Sequence, residues 1–220
     1  MGDTAPRLRG AIIPVTPFQQ NCTLLWDDDT RRAVVIDPGG DVDQILGAID
    51  QTGVTVERVL LTHGHLDHAG GTMGLVAALR EKGLDVTIDG PDRRDQFLLD
   101  AVAKQAAQYG FQADNVVPDR WLVEGDAIEW AGHRFDVLHC PGHTPGHVVF
   151  INHAARFAVL GDVLFQGSIG RTDFPYGDHQ ALIDAIQAKL MVLDDDFSFL
   201  CGHGPGSSIG AERRSNPFLR

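Results

Sequence analysis

The chain has 220 residues, of which 43% are hydrophobic and 22% charged, the balance of an ordinary folded domain and not of low-complexity disorder. No apolar run approaches the ~18 residues of a membrane span, and residues 1–6 lack both the cationic head and apolar stretch of a secretory leader and, with Pro6, the hydroxyl residue of a myristoylation site. With 18 Lys+Arg against 30 Asp+Glu and a formal net charge of −12, the chain has no cationic excess for a phosphate backbone, so neither nucleic acid nor a membrane is an expected partner.

The three cysteines, Cys22, Cys140 and Cys201, are far apart and form neither a disulfide framework nor a CxxC pair. A reducing compartment, the cytoplasm, is the expectation. No repeat and no Pro/Gly/Ser-rich linker divides the chain, so one domain over residues 1–220 is expected, as a monomer or small homo-oligomer.

In chain order, residues 11–17, 23–26 and 33–36 read as short strands, the third an apolar run that stops at the turn Asp37-Pro38-Gly39-Gly40. Asp41 is placed to cap a helix to about residue 52, with Val42, Ile45, Leu46 and Ile49 on one face. Residues 56–61 form a buried-type strand that runs into Thr62-His63-Gly64-His65-Leu66-Asp67-His68, and a helix follows over about 71–82. Residues 91–109 read as another helix, with Pro91 in its first turn. Beyond residue 120, four strands are expected at 127–130, 134–139, 148–151 and 156–160. Asp178 is placed to cap a last long helix carrying Leu182, Ile183, Ile186 and Leu190 inward, and a strand over 197–200 ends in Cys201-Gly202-His203-Gly204. Strands at both ends with interspersed helices indicate a layered α/β fold with mixed strand order.

The chemistry gathers at the strand ends. Three of the 10 histidines and one aspartate fall within residues 63–68. In an extended segment residues two apart share a face, so His63 and His65 can approach one metal together, with Gly64 allowing a tight bend between them. Asp67 and His68 are neighbours and diverge, which makes a second metal position natural. Imidazole and carboxylate donors suit zinc, iron or manganese. A merely solvated polar loop is a poor account of so many ligand-type side chains in one turn. Three further segments each set a ligand-type residue beside glycine just past a strand: His143 within Cys140-Pro141-Gly142-His143-Thr144-Pro145-Gly146-His147, Asp162 after Leu160-Gly161, and His203 between Gly202 and Gly204. Each alone is also what a cap or turn residue looks like; with the first cluster they describe one site.

These residues resemble the metallo-β-lactamase superfamily over nearly the whole chain: its HxHxDH motif stands at residues 63–68, and its later His, Asp and His at 143, 162 and 203. The resemblance implies a four-layer αβ/βα sandwich with a dinuclear centre at one edge between two sheets. It implies that His63, His65 and His143 bind one divalent metal, that Asp67, His68 and His203 bind the other, and that Asp162 bridges them. Zinc is the first expectation for the pair, with iron or manganese as alternatives.

Within the superfamily, Pro38-Gly39-Gly40, the 140–147 segment, Gly170-Arg171-Thr172-Asp173-Phe174 and Glu212-Arg213-Arg214-Ser215-Asn216-Pro217-Phe218 resemble the short bacterial branch of the glyoxalase II-like hydrolases. That likeness implies hydrolysis of a small-molecule thioester, S-D-lactoylglutathione being split to D-lactate and glutathione. Full-length glyoxalase II also carries a C-terminal helical domain whose basic residues hold the glutathione. Here the late basic pair is Arg213 and Arg214, so the expectation is a short single-domain form.

On that reading two divalent metals acidify a water, Asp67 orients it as well as ligating, and the thiolate leaves without a strong acid because a free thiol has a pKa of only ~8.5. The loaded centre would keep about one positive charge, which suits an anionic substrate. Arg171 either adds a cation at the rim as a substrate contact or is paired with Asp173 or Asp178. Cys140 and Cys201 read as small buried residues at strand ends. His147 is either a partner of a ligand or the start of a strand. His139 reads as packed, His133 and His153 as surface turn residues, His179 as a first-turn residue, and Trp26, Trp121 and Trp130 as packing. The alternative is a persulfide dioxygenase, an oxidoreductase of the same fold with one iron. That family tends to have Cys where His147 stands. A nuclease on this scaffold is disfavoured by the net acidity, a β-lactam hydrolase by the absence of an export signal, and a non-catalytic metal-binding module by the full dinuclear ligand set.

Overall fold

Strand residues alternate between two apolar surroundings, and this period of two sets the layers. The computed structural model describes residues 7–219; the reading of residues 1–6 as no leader lies outside them. In strand β3 (Arg32–Ile36), Ala33 and Val35 pack toward one set of helices, while Val34 and Ile36 join the middle of the molecule. In β8 (Val148–Asn152), Val149 and Ile151 pack toward a second set of helices, and Val148 and Phe150 join that same middle layer. Strands apolar on both faces are those covered on both sides.

The first sheet has the order β1 (Leu8–Val15), β2 (Gln20–Asp27), β3, β4 (Thr55–Leu60), β5 (Thr87–Asp89). The second has the order β13 (Ser207–Ser208), β12 (Ser198–Leu200), β9 (Phe157–Val159), β8, β7 (His133–His139), β6 (Ala127–Trp130). Helices α1 (Val42–Thr52) and α3 (Thr72–Glu81), with the shorter α2 (Leu66–Ala69), α4 (Gln96–Leu99) and α5 (Val102–Gln108), cover the first sheet through Ile45, Ile49, Leu75, Leu79 and Val102. Helices α6 (His179–Ala185) and α7 (Ile209–Ser215) cover the second through Leu182, Ala185 and Ile209. A hairpin of β10 (Leu164–Phe165) and β11 (Ser168–Ile169) stands apart. The result is the expected four-layer αβ/βα sandwich. No helix among the described residues is long and apolar enough to cross a membrane.

Strand direction explains where chemistry collects. β3 and β4 are parallel, as are β9 and β12, and β7 runs with β9 because each is antiparallel to β8. The segments after β3, β4, β7, β9 and β12 therefore all leave the sandwich at one edge. Those segments carry Asp37, the 63–68 motif, His143, Asp162 and His203. Function on loops over a rigid sheet edge is the general pattern of open α/β sheets.

Four local expectations need correction. Residues 91–109 are not one helix: Asp92 accepts from the Arg94 amide to start a 3₁₀ turn at Arg93–Asp95, and α4 and α5 follow as separate pieces. The chain bends there so that Asp95 reaches the ligand loops. Asp41 holds the N-cap position of α1, but its side chain does not cap the helix; it has φ 45° and its carboxylate accepts from the Thr16 amide at 2.6 Å. Asp178 does cap α6 through the Ala181 amide, but the last long helix changes to a π-helical turn at Ile186–Leu190. His133 is not a surface residue. It heads β7, is buried, and its Nε2 lies 3.1 Å from Asp27 Oδ2 of β2, a hydrogen bond that joins the two sheets.

Candidate metal centre

Seven side chains from four distant stretches converge at the sheet edge. His63, His65 and His143 offer ring nitrogens that lie within 4.8 Å of one another, and the Asp67 carboxylate with ring nitrogens of His68 and His203 forms a second group of the same size. His65 Nδ1 is 3.1 Å from His63 Nε2 and 2.9 Å from His143 Nε2. Asp67 Oδ2 is 3.2 Å from His203 Nε2 and 3.9 Å from His68 Nε2. Asp162 lies between the groups: Oδ1 is 3.4 Å from His68 Nε2, and Oδ2 is 3.5 Å from His143 Nε2 and 3.6 Å from His203 Nε2.

The outer hydrogen bonds turn each ring's lone pair inward. Asp37, at φ 53° on the turn after β3, accepts from the Thr62 hydroxyl at 2.6 Å, the Thr62 amide at 2.7 Å and His68 Nδ1 at 2.9 Å. His63 Nδ1 in turn donates to the Thr62 hydroxyl at 3.0 Å, and His143 Nδ1 donates to the Arg171 carbonyl at 2.8 Å. On these three rings Nε2 is left as the acceptor that faces the centre. His65 is reversed: Nε2 meets the Tyr176 hydroxyl at 2.9 Å, and Nδ1 faces inward. Second partners that fix tautomer and orientation are the usual support of a ligating imidazole. Asp37 also forms a close group with His63 and His68, but on the Nδ1 side, where these hydrogen bonds already engage it.

Further contacts hold the loops to one another. The buried Asp95 carboxylate accepts from the Gly64 amide at 2.9 Å, the Thr144 hydroxyl at 2.7 Å and the Gly146 amide, tying the first ligand loop to the His143 loop. His147 stacks on His63 with ring centroids 4.6 Å apart, and its Nε2 accepts from the Asp162 amide at 3.0 Å. Asn21 holds the His203 loop through the carbonyls of Cys201 and Gly204, at 3.0 and 2.8 Å. Cys201 is buried and its thiol donates to the carbonyls of His203 and Pro205, which makes it part of that same turn. Two glycines are required by close approach: a Cβ on Gly39 would overlap the Asp67 carbonyl, and one on Gly202 would overlap the Asp162 carboxylate.

Electrostatics divide the two groups. Burial, reinforced by neighbouring imidazoles, pushes His63 well below the ordinary value and His65 down to about 3. Burial also lowers His143. These rings keep their lone pairs. For His68 and His203 burial acts the same way, but the nearby Asp67 and Asp162 outweigh it and raise both. Burial alone would raise Asp162, yet His68, His143 and His203 hold it far below the carboxylate range. The chain thus offers a neutral three-imidazole group next to a carboxylate-rich one.

This donor set fits divalent metal ions. His68 Nε2 and Asp162 Oδ1 are buried, face each other at 3.4 Å and make no other hydrogen bond, an arrangement that a cation shared between them would complete. The outer positions around the centre are filled by residues that the sequence pattern does not single out. Asp37 was legible only as a turn residue, although an aspartate ending an apolar strand before Pro-Gly-Gly carries a signal. Thr62, Asp95 and Tyr176 carried none. Arg171 lines the cleft, and its guanidinium is paired with Asp173 at 2.7 Å and lies 4.5 Å from the Phe174 ring, as the paired reading expected. Arg213 and Arg214 pair with Asp195.

A sheet edge that gathers HxHxDH with a later His, Asp and His is matched by a family model described as the metallo-beta-lactamase superfamily, over residues 15–203. The chain belongs to that superfamily. It is 48% identical over 210 residues to the hydroxyacylglutathione hydrolase GloC of Haemophilus influenzae, covering 94% of this chain and 96% of that protein. Among solved structures, BLEG-1 B3 metallo-beta-lactamase is similar at TM-score 0.84 and 34% identity, covering 96% of this chain and 99% of that one. TTHA1623 in a di-iron-bound form is similar at TM-score 0.83 and 35% identity, covering 95% and 100%.

Proposed function

We propose that the protein is a metal-dependent hydrolase of small acyl thioesters, of the hydroxyacylglutathione hydrolase type. The observation that carries this reading is the convergence of the seven donors at one edge, with the inward lone pairs of His63, His65 and His143 each fixed by an outer partner. The relative of 48% identity supports it. His63, His65 and His143 would hold one metal, Asp67, His68 and His203 the other, and Asp162 would serve both. When bound, a pair of divalent cations lowers the pKa of a water and polarises a carbonyl.

The chain's own groups supply the rest. Asp67, half-buried beside His203, accepts a hydrogen bond from the attacking water and so aims its lone pair at the thioester carbon. Water adds to that carbon and the C–S bond breaks, giving a carboxylic acid and a thiol. A thiolate, with its conjugate acid near pKa ~8.5, leaves without a general acid. The cleft above, about 540 Å³, is walled by Phe18, Tyr109, Phe174 and Tyr176, with Arg171 at its rim.

The test is a metal count per chain and thioester turnover on the same sample. About two metals with thiol release from S-lactoylglutathione is the expected result. No thiol release from any of a panel of acyl-glutathione thioesters by metal-replete protein overturns it. One iron per chain with oxygen consumption on glutathione persulfide moves the assignment to a dioxygenase.

A further inference from the structure

A second, larger cavity adjoins the centre. It measures about 820 Å³ and shares Phe18, Leu66 and Asp67 with the cleft above the ligands. Phe18 stands at the boundary: its ring packs edge-on against Tyr109 at 5.3 Å and Phe111 at 6.4 Å. Tyr109 faces the cleft and Phe111 faces the larger cavity.

The two spaces differ in charge and texture. Arg171 lines the cleft, whereas no Lys or Arg is among the described residues lining the larger cavity. Asp41 and Asp114 stand there instead. One wall is built from the paired turns Gly39-Gly40 and Gly70-Gly71, where no Cβ projects into the space, and these turns are locked by backbone packing: a Cβ on Gly71 would lie 2.7 Å from the Pro38 carbonyl. The opposite wall is apolar, with Ala103, Ala107 and Phe111.

We propose that this cavity is the acyl subsite, and that it takes an extended apolar or aromatic acyl group. The inference rests on the thioester hydrolase reading above. A carrier bearing two carboxylates, such as glutathione, is repelled by Asp41 and Asp114 and lies on the Arg171 side. The uncharged acyl arm is left for the space beyond Phe18. A lactoyl group occupies roughly 100 Å³, a few times the ~30 Å³ share of a water molecule, so it leaves most of that space unfilled. Pockets of this size suit much larger apolar ligands.

The experiment holds the carrier constant. Metal-replete protein is given S-lactoylglutathione, S-hexanoylglutathione and S-mandeloylglutathione, and kcat/KM is measured for each. The larger acyl groups are expected to exceed lactoyl by about tenfold or more, the discrimination that apolar contacts supply. Lactoyl turned over as well as or better than both larger groups overturns the acyl subsite and leaves the hydrolase standing. No turnover of any of the three overturns the hydrolase reading and the subsite with it. In the variant Gly74→Leu the new side chain enters the cavity from α3, where an added Cβ meets Val42 at an ordinary 3.5 Å. The ratio of mandeloyl to lactoyl kcat/KM should fall about tenfold. An unchanged ratio in a variant with full metal content also overturns the subsite, and the wild-type comparison decides the matter if the variant does not fold.

Discussion

Asp95 is the side chain whose removal tests how the centre is held. It is fully buried and accepts hydrogen bonds from the Gly64 amide, the Thr144 hydroxyl and the Gly146 amide. Asp95→Ala leaves all three donors unpaired, and at about 1–3 kcal/mol per stranded buried donor the expected loss is about 3–9 kcal/mol under conditions where the carboxyl is neutral. Burial pushes its pKa from an ordinary 3.8 up to about 6, against the pull of those same hydrogen bonds. The folded chain therefore holds this proton more tightly than the unfolded chain. The stability it contributes is full below the unfolded value and is lost as the pH rises through about 6. From these two values the contribution at about pH 4.5 exceeds that at about pH 7.5 by about 2 kcal/mol. Asp95→Ala should accordingly cost about 2 kcal/mol more at the lower pH. Urea unfolding of wild type and variant at both pH values gives the double difference, in which the acid sensitivity of the other carboxylates cancels. A cost equal at the two pH values would show that the hydrogen bonds keep Asp95 ionised, and the argument that burial dominates would be wrong.

Two further substitutions probe the same centre. Tyr176→Phe removes the partner of His65 Nε2 and should weaken metal affinity by about tenfold or more, read by competition with a chromophoric chelator; unchanged affinity would show that the tyrosine does not orient the ring. Gly39→Ala forces a Cβ into the Asp67 carbonyl, whereas Gly47→Ala on α1 meets nothing within 4 Å. Thermal unfolding should show the first strongly destabilised and the second stabilised by about 0.5–1 kcal/mol, and comparable shifts in the two would contradict the packing described at the Gly39 turn.

The layered fold was legible where burial imposes a period. The runs 33–36 and 148–151 are apolar at every position because each face meets a different layer. What escaped was local structure set by distant partners. Nothing near residue 95 says that its carboxylate will bend the chain toward Gly64 and Gly146, and helical periodicity over 91–109 points the other way. His133 looked like a turn residue because its partner, Asp27, lies 106 positions away in the other sheet.

The same distinction separates the inner residues of the centre from the outer ones. Inner residues are chemically conspicuous: imidazoles and carboxylates beside glycine at the ends of apolar strands can be counted from sequence. The outer ones are not. Asp37, Thr62, Asp95 and Tyr176 belong to residue types found in any turn, and they matter only because parallel strand pairs deliver five segments to one edge. Yet the outer residues decide which nitrogen of each ring is available. Exchanging the tautomer of His65 would turn a proton toward the centre in place of a lone pair. The donor set is therefore a product of two layers, of which the sequence displays one, and a chain with the same seven inner residues but no hydroxyl at position 176 or carboxylate at position 37 would present a weaker site.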